Sequence, residues 1–332
     1  MKKPVAKLVD IPKIIGSDKL ILIIAIVAVF GIFTWRNGNF LTTTNIVNIL
    51  VASSLIGLVA IGETYLVIAG HVDLSPGSIV AFSGVLSALL VSRGFSFYGA
   101  FAVTLLCGAF IGMMNSCMVN VIKLEPFIAT LVAQSIVRGF AYIICGGKPV
   151  AIRDATFLGV SRMVFLKLPL SVWVAIVAFA IFGFILARTK FGRSIYAVGG
   201  NKVAARLAGL NPPRIMTACY VTMGIICAIG GTVFAARMHS GQPAGNVNLE
   251  FDAITAVILG GVSFAGGVGT MGGTILGVIL IQSFNTGLTM IDVQSFWQYV
   301  ARGGLLLFAL TSDYIRKSNR EKKLLLESKM NR

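Results

Sequence analysis

The protein is 332 residues long, 56% of them hydrophobic and only 12% charged, with a mean hydropathy of +0.89. This balance excludes a soluble enzyme, whose surface needs more polar cover, and intrinsic disorder, which needs low hydrophobicity. The formal net charge of +16 is typical of a membrane protein that retains basic loops in the cytoplasm. The five cysteines form no CxxC pair and no zinc-like cluster, so we expect them to be small buried residues.

Ten apolar segments follow one another along the chain, and most approach the length of about 20 residues that crosses a bilayer. They lie at 20–36, 46–69, 74–92, 97–122, 126–145, 169–187, 214–236, 251–265, 268–286 and 296–312. We therefore expect an all-α polytopic membrane protein with about ten transmembrane helices. The eighth and ninth segments are short and interrupted by glycine, which is typical of broken or re-entrant helices.

The first apolar segment follows five lysines and superficially resembles a signal peptide. It is followed by Arg36-Asn37-Gly38-Asn39 rather than by a small-residue cleavage site, so we expect a retained first membrane helix.

The 28 lysines and arginines are divided unevenly between the two sides of a ten-span topology. Nineteen fall on the side of the termini, seven on the opposite side, and the remaining two, Arg138 and Arg302, within spans. Because cytoplasmic loops retain positive charge, this split predicts that both termini are cytoplasmic. The basic tail Arg316 to Arg332 is then expected to lie near anionic lipid rather than to bind nucleic acid. The loop 146–168 fits least well, since it puts four basic residues outside.

Two glycine motifs imitate nucleotide-binding sites. GVGTMG (267–272) matches G-x-G-x-x-G and has Asp292 beyond it, but it lies between membrane segments, where no soluble strand–turn–helix is expected. Gly269, Gly273 and Gly277 are spaced by four, which favours close helix–helix packing. No Walker A sequence and no catalytic nucleophile set is present, so the chain is expected to be no enzyme and to bind no cofactor.

Several polar residues fall inside the apolar segments, where a charged group is costly and faces the interior of the bundle or water. They are consistent with a hydrophilic pathway for a solute, or with interhelical hydrogen bonds of about 0.6 kcal/mol each. The candidate pathway residues are Glu63, Asp73, Ser75, Asn115, Gln134, Arg138, Gln282 and Asn285. For Arg138, Glu63 and Asp73 we favour a functional role or a mutual ion pair. Arg302 is expected to snorkel from a helix end.

Two interruptions stand in the two halves of the chain. They are GHVDLSPGS (70–78) and ILGGVSFAGGVGTMGG (258–273). Paired breaks of this kind suggest an internal duplication with a binding site at the interface of the halves.

The longest predicted cytoplasmic loop, 188–214, contains more than a linker. Asn201 is a plausible N-cap for a short helix Lys202–Leu207, which Gly209 and the following prolines end. The small face formed by Ala204, Ala205 and Ala208 would allow another protein to approach closely. The alternative is an interfacial helix that lies on lipid.

Five blocks along the chain, in order, resemble the permease subunits of bacterial ribose/galactose-type sugar ABC transporters. They are GHVDLSPGS (70–78), PFIATL (126–131), FGRSIYAVGGN (191–201), FDAITAVILGGVSFAGGVGT (251–270) and FWQYVARGGLLLFALTSD (296–313). The resemblance covers about Phe40 to Tyr314. His71 and Pro76 depart from the usual pattern beside Asp73.

The resemblance implies a permease subunit of an ATP-driven monosaccharide importer in the bacterial inner membrane. It implies two copies, or two related permeases, on a cytoplasmic ATPase pair that holds ATP and Mg²⁺, fed by a periplasmic or lipid-anchored sugar-binding protein. It also implies that the 199–209 region is the coupling helix. The expected coupling residues are Gly192, Gly199, Gly200, Asn201, Ala204, Ala205 and Gly209.

Three parts are therefore expected. A basic cytoplasmic N-terminus covers 1–19, a transmembrane permease domain covers 20–312 with the coupling loop at 188–214, and a basic cytoplasmic tail covers 313–332. A secondary transporter that uses Glu63, Asp73 or Arg138 as an ion relay remains the alternative.

Overall fold

The computed structural model describes residues 17–330, and thirteen helices and four two-residue strands lie within that range. The helices are α1 (Ser17–Arg36), α2 (Thr43–Ile68), α3 (Pro76–Ser92), α4 (Phe97–Asn120), α5 (Pro126–Cys145), α6 (Ala155–Arg162), α7 (Leu170–Arg188), α8 (Lys190–Gly200), α9 (Lys202–Leu207), α10 (Pro212–Met238), α11 (Leu249–Leu259), α12 (Met271–Met290) and α13 (Ser295–Met330). The strands are β1 (Val150–Ala151), β2 (Val164–Phe165), β3 (Leu168–Pro169) and β4 (Ser240–Gly241). The predicted helical class is confirmed.

Six of the described helices are long and apolar enough to cross a membrane, namely α2, α4, α5, α7, α10 and α12. The described part of α1 and α3 are shorter apolar helices. Every one of the ten predicted segments contains a helix, so a multi-pass membrane protein is confirmed, while ten crossings and the orientation stay predictions. The eighth segment forms a helix of only 11 residues, which matches the expected half-helix.

Helices α2 and α10 are the most deeply buried of the long helices. Helix α10 lies against α4 so closely that a Cβ on Gly108 would meet the Gly224 carbonyl, and a Cβ on Gly84 of α3 would lie 3.0 Å from the Gly231 carbonyl oxygen. Small residues let helix backbones approach in this way, which strengthens packing where lipid supplies no hydrophobic drive.

The two ends of the bundle differ. At one end, which we call the α8–α9 end, lie α8, α9 and the last turn of α2. At the opposite end, the hairpin end, β1 pairs antiparallel with β4 (Val150 with Gly241), and β2 pairs with β3 (Phe165 with Leu168). Helix α6 covers the hairpin end by burying Phe157 against Ala88 and Ala235.

The chain breaks between α2 and α3, as the GHVDLSPGS segment predicts. Gly70 turns the chain in a left-handed conformation (φ +85°), and α3 begins at Pro76, a position where the missing N–H costs nothing. The first turn of α3 contacts the first turn of α11, since a Cβ on Gly77 would collide with Glu250 Oε2. Two helix N-termini therefore meet inside the bundle.

The structure describes only part of the two terminal segments that were predicted from the sequence. Residues 1–16 of the predicted basic N-terminus lie outside the described residues. The predicted tail at 313–332 continues as helix α13 as far as Met330 rather than beginning a separate segment.

Candidate functional site

The loop that joins α2 to α3 is held by a buried hydrogen-bond network of Asp73, Ser75 and Asn115. We call these three residues, together with the buried Glu63, the broken-helix centre. Asp73 Oδ1 accepts hydrogen bonds from the Ser75 N–H at 2.7 Å and the Ser75 hydroxyl at 2.6 Å. Asn115 Nδ2 of α4 donates to Ser75 Oγ at 2.9 Å and to Asp73 Oδ2 at 3.4 Å. All three side chains are almost fully buried. The structure thus brings together three of the residues predicted to line a pathway.

Glu63 lies in α2 and is fully buried. Neither of its carboxylate oxygens has a hydrogen-bond partner among the described residues. Burying an ionised carboxylate that has no hydrogen-bond partner costs free energy. Glu63 is therefore either protonated, or it gains a partner in another conformation of the transporter.

His71 and Pro76, the two departures from the family pattern, lie at the break between α2 and α3. His71 Nδ1 lies 3.2 Å from the Tyr220 hydroxyl, and this contact ties the turn to α10. Leu74 N–H donates to Thr130 Oγ1 of α5 at 3.0 Å, so the segment before Pro76 is fixed to a second helix.

Arg138 of α5 does not form an ion pair with Glu63 or Asp73, which was one of the two alternatives for these residues. Its Nη1 donates to the carbonyl oxygens of Pro243 at 2.9 Å and Gly245 at 2.7 Å. These carbonyls lie in the chain that leads into α11, and they can satisfy a guanidinium without a carboxylate. The ion-pair alternative is therefore wrong for Arg138, whereas a functional role stays a prediction. The sequence does not show that this distant loop reaches α5.

Gln134 lies one turn before Arg138 and donates to Glu250 Oε1 at 2.8 Å. Glu250 is fully buried in the first turn of α11, beside the first turn of α3. A carboxylate is stabilised at helix N-termini by the positive end of the helix dipole. Gln134 and Arg138 therefore fasten the start of α11 to α5.

A second polar cluster joins α11, α12 and α13. Arg302 Nη1 lies 3.5 Å from Asp252 Oδ2, and Asn285 Nδ2 donates to the same oxygen at 3.4 Å. Arg302, which was expected to snorkel from a helix end, pairs with this carboxylate of α11 while its side chain stays 32% exposed. Gln282, by contrast, bonds Thr286 of its own helix at 3.0 Å.

Sequence reasoning missed Glu250 and Asp252. Both stand at the start of the apolar segment LEFDAITAVIL, so the rule that flags charged residues within membrane segments would have found them.

The predicted capped helix in the 188–214 loop is confirmed as α9, with the predicted bounds Lys202–Leu207. Asn201 Oδ1 accepts from the N–H groups of Val203 at 3.0 Å and Ala204 at 2.9 Å, as an N-cap does. Gly209 then turns in a left-handed conformation (φ +85°), which ends the helix.

The exposed face of α9 differs from the one we expected. Ala205 is buried against the protein's own chain, so only Ala204 and Ala208 of the small face are exposed. Val203 and Leu207, one turn apart, are 70% and 84% exposed. The free surface of α9 is therefore apolar and larger than an alanine face.

Three chain segments meet at the α8–α9 end in what we call the glycine junction (Ile68, Gly199 and Gly267). Gly267 N–H donates to the Ile68 carbonyl at the end of α2, at 2.7 Å. A Cβ on Gly199 of α8 would collide with the same carbonyl oxygen and lie 2.8 Å from Gly267 N. No side chain fits between these backbones, which explains a glycine at 199.

Neighbouring contacts strengthen this junction. The Tyr196 hydroxyl of α8 donates to the Gly269 carbonyl at 2.8 Å. Burial raises the pKa of the Tyr196 phenol, so the hydroxyl keeps its proton at physiological pH. A Cβ on Gly192 would meet the Leu186 carbonyl, which places α8 tightly on the end of α7, whereas Gly200 has open space around it.

Two of the three glycines spaced by four, Gly273 and Gly277, lie at close helix contacts, as predicted. A Cβ on Gly273 would collide with the Gly260 carbonyl, and one on Gly277 with the Ala256 carbonyl. Gly269 was expected on the same helical stripe, but it precedes α12 and packs on Val262 in a conformation that favours glycine (φ +156°).

Comparisons with known proteins agree with this architecture. A family model described as "Branched-chain amino acid transport system / permease component" matches residues 45–310. The chain belongs to this permease family. The L-arabinose ABC transporter permease protein AraH of Azospirillum brasilense is 36% identical over 299 residues, which cover 90% of this chain and 88% of the relative.

Two further relatives carry a different sugar in their names. The ribose import permease protein RbsC of Haemophilus influenzae is 33% identical over 294 residues (87% of this chain, 91% of the relative). RbsC of Bacillus subtilis is 35% identical over 279 residues (83% and 87%). The resemblance to sugar ABC permeases that the five sequence blocks indicated is confirmed. No solved structure matches the chain.

Proposed function

We propose that this protein is the membrane-spanning subunit of an ATP-driven importer for a monosaccharide. It forms the translocation pathway, which opens to one side of the membrane at a time, and a separate ATPase supplies the energy. The relatives are named for L-arabinose and ribose, which supports a small neutral sugar as the substrate.

The observation that carries the proposal is the glycine junction. It connects the exposed helix α9, through α8, to the end of α2 and to the loop between α11 and α12. The first of these segments leads into α3 and the second leaves α11, the two helices whose N-termini meet in the bundle. A push on α9 is therefore passed by direct backbone contact to both broken helices.

The exposed residues of α9 support an ATPase as the partner at this end. Val203 and Leu207 form an apolar pair with Lys202 and Arg206 beside it, which suits a groove on a soluble protein. The same orientation puts both termini in the cytoplasm of a bacterial cell, in agreement with the distribution of basic residues.

The partly exposed Asp252–Arg302 pair supports a second permease copy. The side chain of Arg302 is 32% exposed and that of Asp252 is 13% exposed. Charged groups at membrane depth avoid lipid, so this face needs either a partner subunit or water in front of it. A pair of permeases around a central polar pathway supplies both, and a sugar-binding protein at the hairpin end delivers the solute.

The test is reconstitution of the complete transporter in liposomes, with the ATPase and the sugar-binding protein identified by co-purification with this chain. We expect ATP-dependent uptake of radiolabelled D-ribose, L-arabinose or another monosaccharide. An ATPase variant that lacks its Walker A lysine is the matched control and removes uptake. Accumulation against a gradient by this chain alone would contradict the proposal.

One observation favours a second candidate, a secondary transporter. The Glu63 carboxylate is fully buried in a membrane helix near Asp73, and intramembrane carboxyl groups of this kind form proton relays in transporters. In that case an uncoupler abolishes uptake and Glu63→Gln mimics the uncoupler, while ATP is irrelevant. The importer predicts uptake that continues in the presence of an uncoupler as long as ATP is supplied.

A further inference from the structure

An unusual run of exposed apolar residues lies at the hairpin end of the bundle, at the turn between α6 and α7. Met163, Val164, Phe165 and Leu166 are 57%, 62%, 63% and 69% exposed. They form strand β2 and its flanks, which pair with β3 in a tight hairpin (163–169). Four consecutive exposed apolar residues are disfavoured in water unless something covers them.

The hairpin folds back along the first turn of α7 instead of projecting away from the bundle. Leu170 N–H, the first residue of α7, donates to the Met163 carbonyl at 2.9 Å. The Trp173 indole N–H donates to the Phe165 carbonyl at 3.0 Å, and the two rings pack edge to face with centroids 5.4 Å apart. The hairpin is thus level with the first turn of a membrane helix.

The length of α7 fixes that level relative to the bilayer. Nineteen residues make a helix of about 28 Å, close to the roughly 30 Å of the hydrocarbon core. The first turn of α7 therefore lies at the boundary between hydrocarbon and headgroups. Tryptophan is enriched at this boundary, which agrees with the position of Trp173.

The apolar surface of the hairpin continues onto the outer surface of α7. Ile176, Val177, Ile181 and Phe184 of that helix are all exposed, and α7 is the least buried of the long helices. Lipid is the environment of such a face on a membrane span. The hairpin extends the same surface by one turn.

Charge completes the pattern of an interfacial segment. Arg162 precedes the apolar run, Lys167 follows it, and both are exposed. Basic residues at the edge of an apolar face are attracted to lipid phosphates. This arrangement also accounts for basic residues in a loop that the charge distribution alone would place on the other side.

We infer that the hairpin 163–169 is inserted in the leaflet at the hairpin end, with Phe165 and Leu166 among the acyl chains and Arg162 and Lys167 on lipid phosphates. In the orientation proposed above this is the outer leaflet. The hairpin then holds the outer end of α7 at a fixed depth, while α8, at the other end of α7, follows the coupling loop. A soluble binding protein is the competing occupant of the same surface.

Depth is measured on the complete transporter in nanodiscs with a charged maleimide. Leu166→Cys is compared with Thr156→Cys on the exposed face of α6, and labelling of the parent protein corrects for its native cysteines. We expect Leu166→Cys to react roughly tenfold or more slowly, because hydrocarbon excludes both the reagent and the thiolate. Val164→Cys is the substitute position if Leu166→Cys does not assemble.

Two results overturn the inference. One is labelling of Leu166→Cys as fast as that of Thr156→Cys with no other protein present. The other is protection that appears only when the sugar-binding protein is added, which would make the hairpin a docking surface. A spin label at residue 166 gives an independent readout, since we expect collisions with oxygen rather than with a water-soluble nickel complex. Arg162→Gln with Lys167→Gln is expected to remove any dependence of that depth on the fraction of phosphatidylglycerol.

Discussion

The broken-helix centre and helix α9 are both parts of the proposed transport machinery, but their surroundings are opposite. The polar atoms around Asp73 are buried. Apart from those of Glu63, most of them form hydrogen bonds among Asp73, Ser75 and Asn115. On α9 the apolar side chains of Val203 and Leu207 face outward with nothing over them. The sealed region needs a motion before it admits a solute, and the open region needs a partner. The glycine junction links the two.

The largest effect is expected when the link itself is broken. Gly199→Val places a side chain against the Ile68 carbonyl, where no space exists, so it separates α8 from the end of α2. We expect loss of ATP-driven uptake, and overpacking that costs about 1–3 kcal/mol or more of unfolding free energy. Gly200→Ala is the matched control because its Cβ meets open space. Sugar uptake and thermal unfolding are measured for both variants. If the two variants behave alike, the glycine junction does not couple α9 to the broken-helix centre.

Binding of the ATPase to α9 is tested with a substitution that leaves the fold intact. Leu207→Asp puts a charge on the exposed face of α9, which buries nothing in this chain. If Leu207 is an anchor in an ATPase groove, we expect about 2 kcal/mol of lost binding energy, roughly 30-fold in Kd. Affinity is measured between the purified permease and its ATPase. The control, Lys202→Gln, removes an exposed charge on the same helix and is expected to bind nearly as the parent does.

Substitutions in the broken-helix centre are expected to lower the free energy of unfolding. Asp73→Ala leaves the Ser75 N–H and hydroxyl without their acceptor and removes one of the two acceptors of the Asn115 amide, and each unsatisfied buried group costs about 1–3 kcal/mol. Asp73→Asn keeps one oxygen acceptor, so its loss is expected to be smaller. Chemical unfolding in detergent compares the two. Two variants that unfold like the parent would show that this network does not hold the break.

The smallest effect is expected at the Asp252–Arg302 pair. Because Arg302 is one third exposed, solvent or a partner screens the pair, and a pair of this kind is worth about 0–1 kcal/mol. Arg302→Gln should therefore change stability little. The same substitution at Arg138, which holds two loop carbonyls, is expected to cost more. The reverse order would show that α13, rather than α5, fastens α11.

Local signals in the sequence were sufficient for the helices and for α9. Length and hydropathy predict the apolar helices, and Asn201 with Gly209 predicts both ends of α9, because caps act within a few residues. The spacing of Gly273 and Gly277 likewise predicts the close contact with α11.

Partners that lie far apart in sequence were not predictable in this way. Arg138 and Gly245 are 107 residues apart, and only the folded bundle brings that carbonyl to the guanidinium. The contact between Asp252 and Arg302 likewise could not be predicted from the sequence. Nor could the burial of Ala205, which decides which side of α9 faces the rest of the protein. The contact of Gly199 with Ile68 also depends on tertiary structure, since nothing near Gly199 in the sequence shows that α8 reaches the end of α2.

Movement of α9 is expected to reach both broken helices. Hydrogen exchange of the complete transporter, with and without ATP and vanadate, tests it most directly. The account predicts that exchange changes in 199–209, in 69–76 and in 260–270 together. A change confined to 199–209, with the other two segments unaffected, would contradict it.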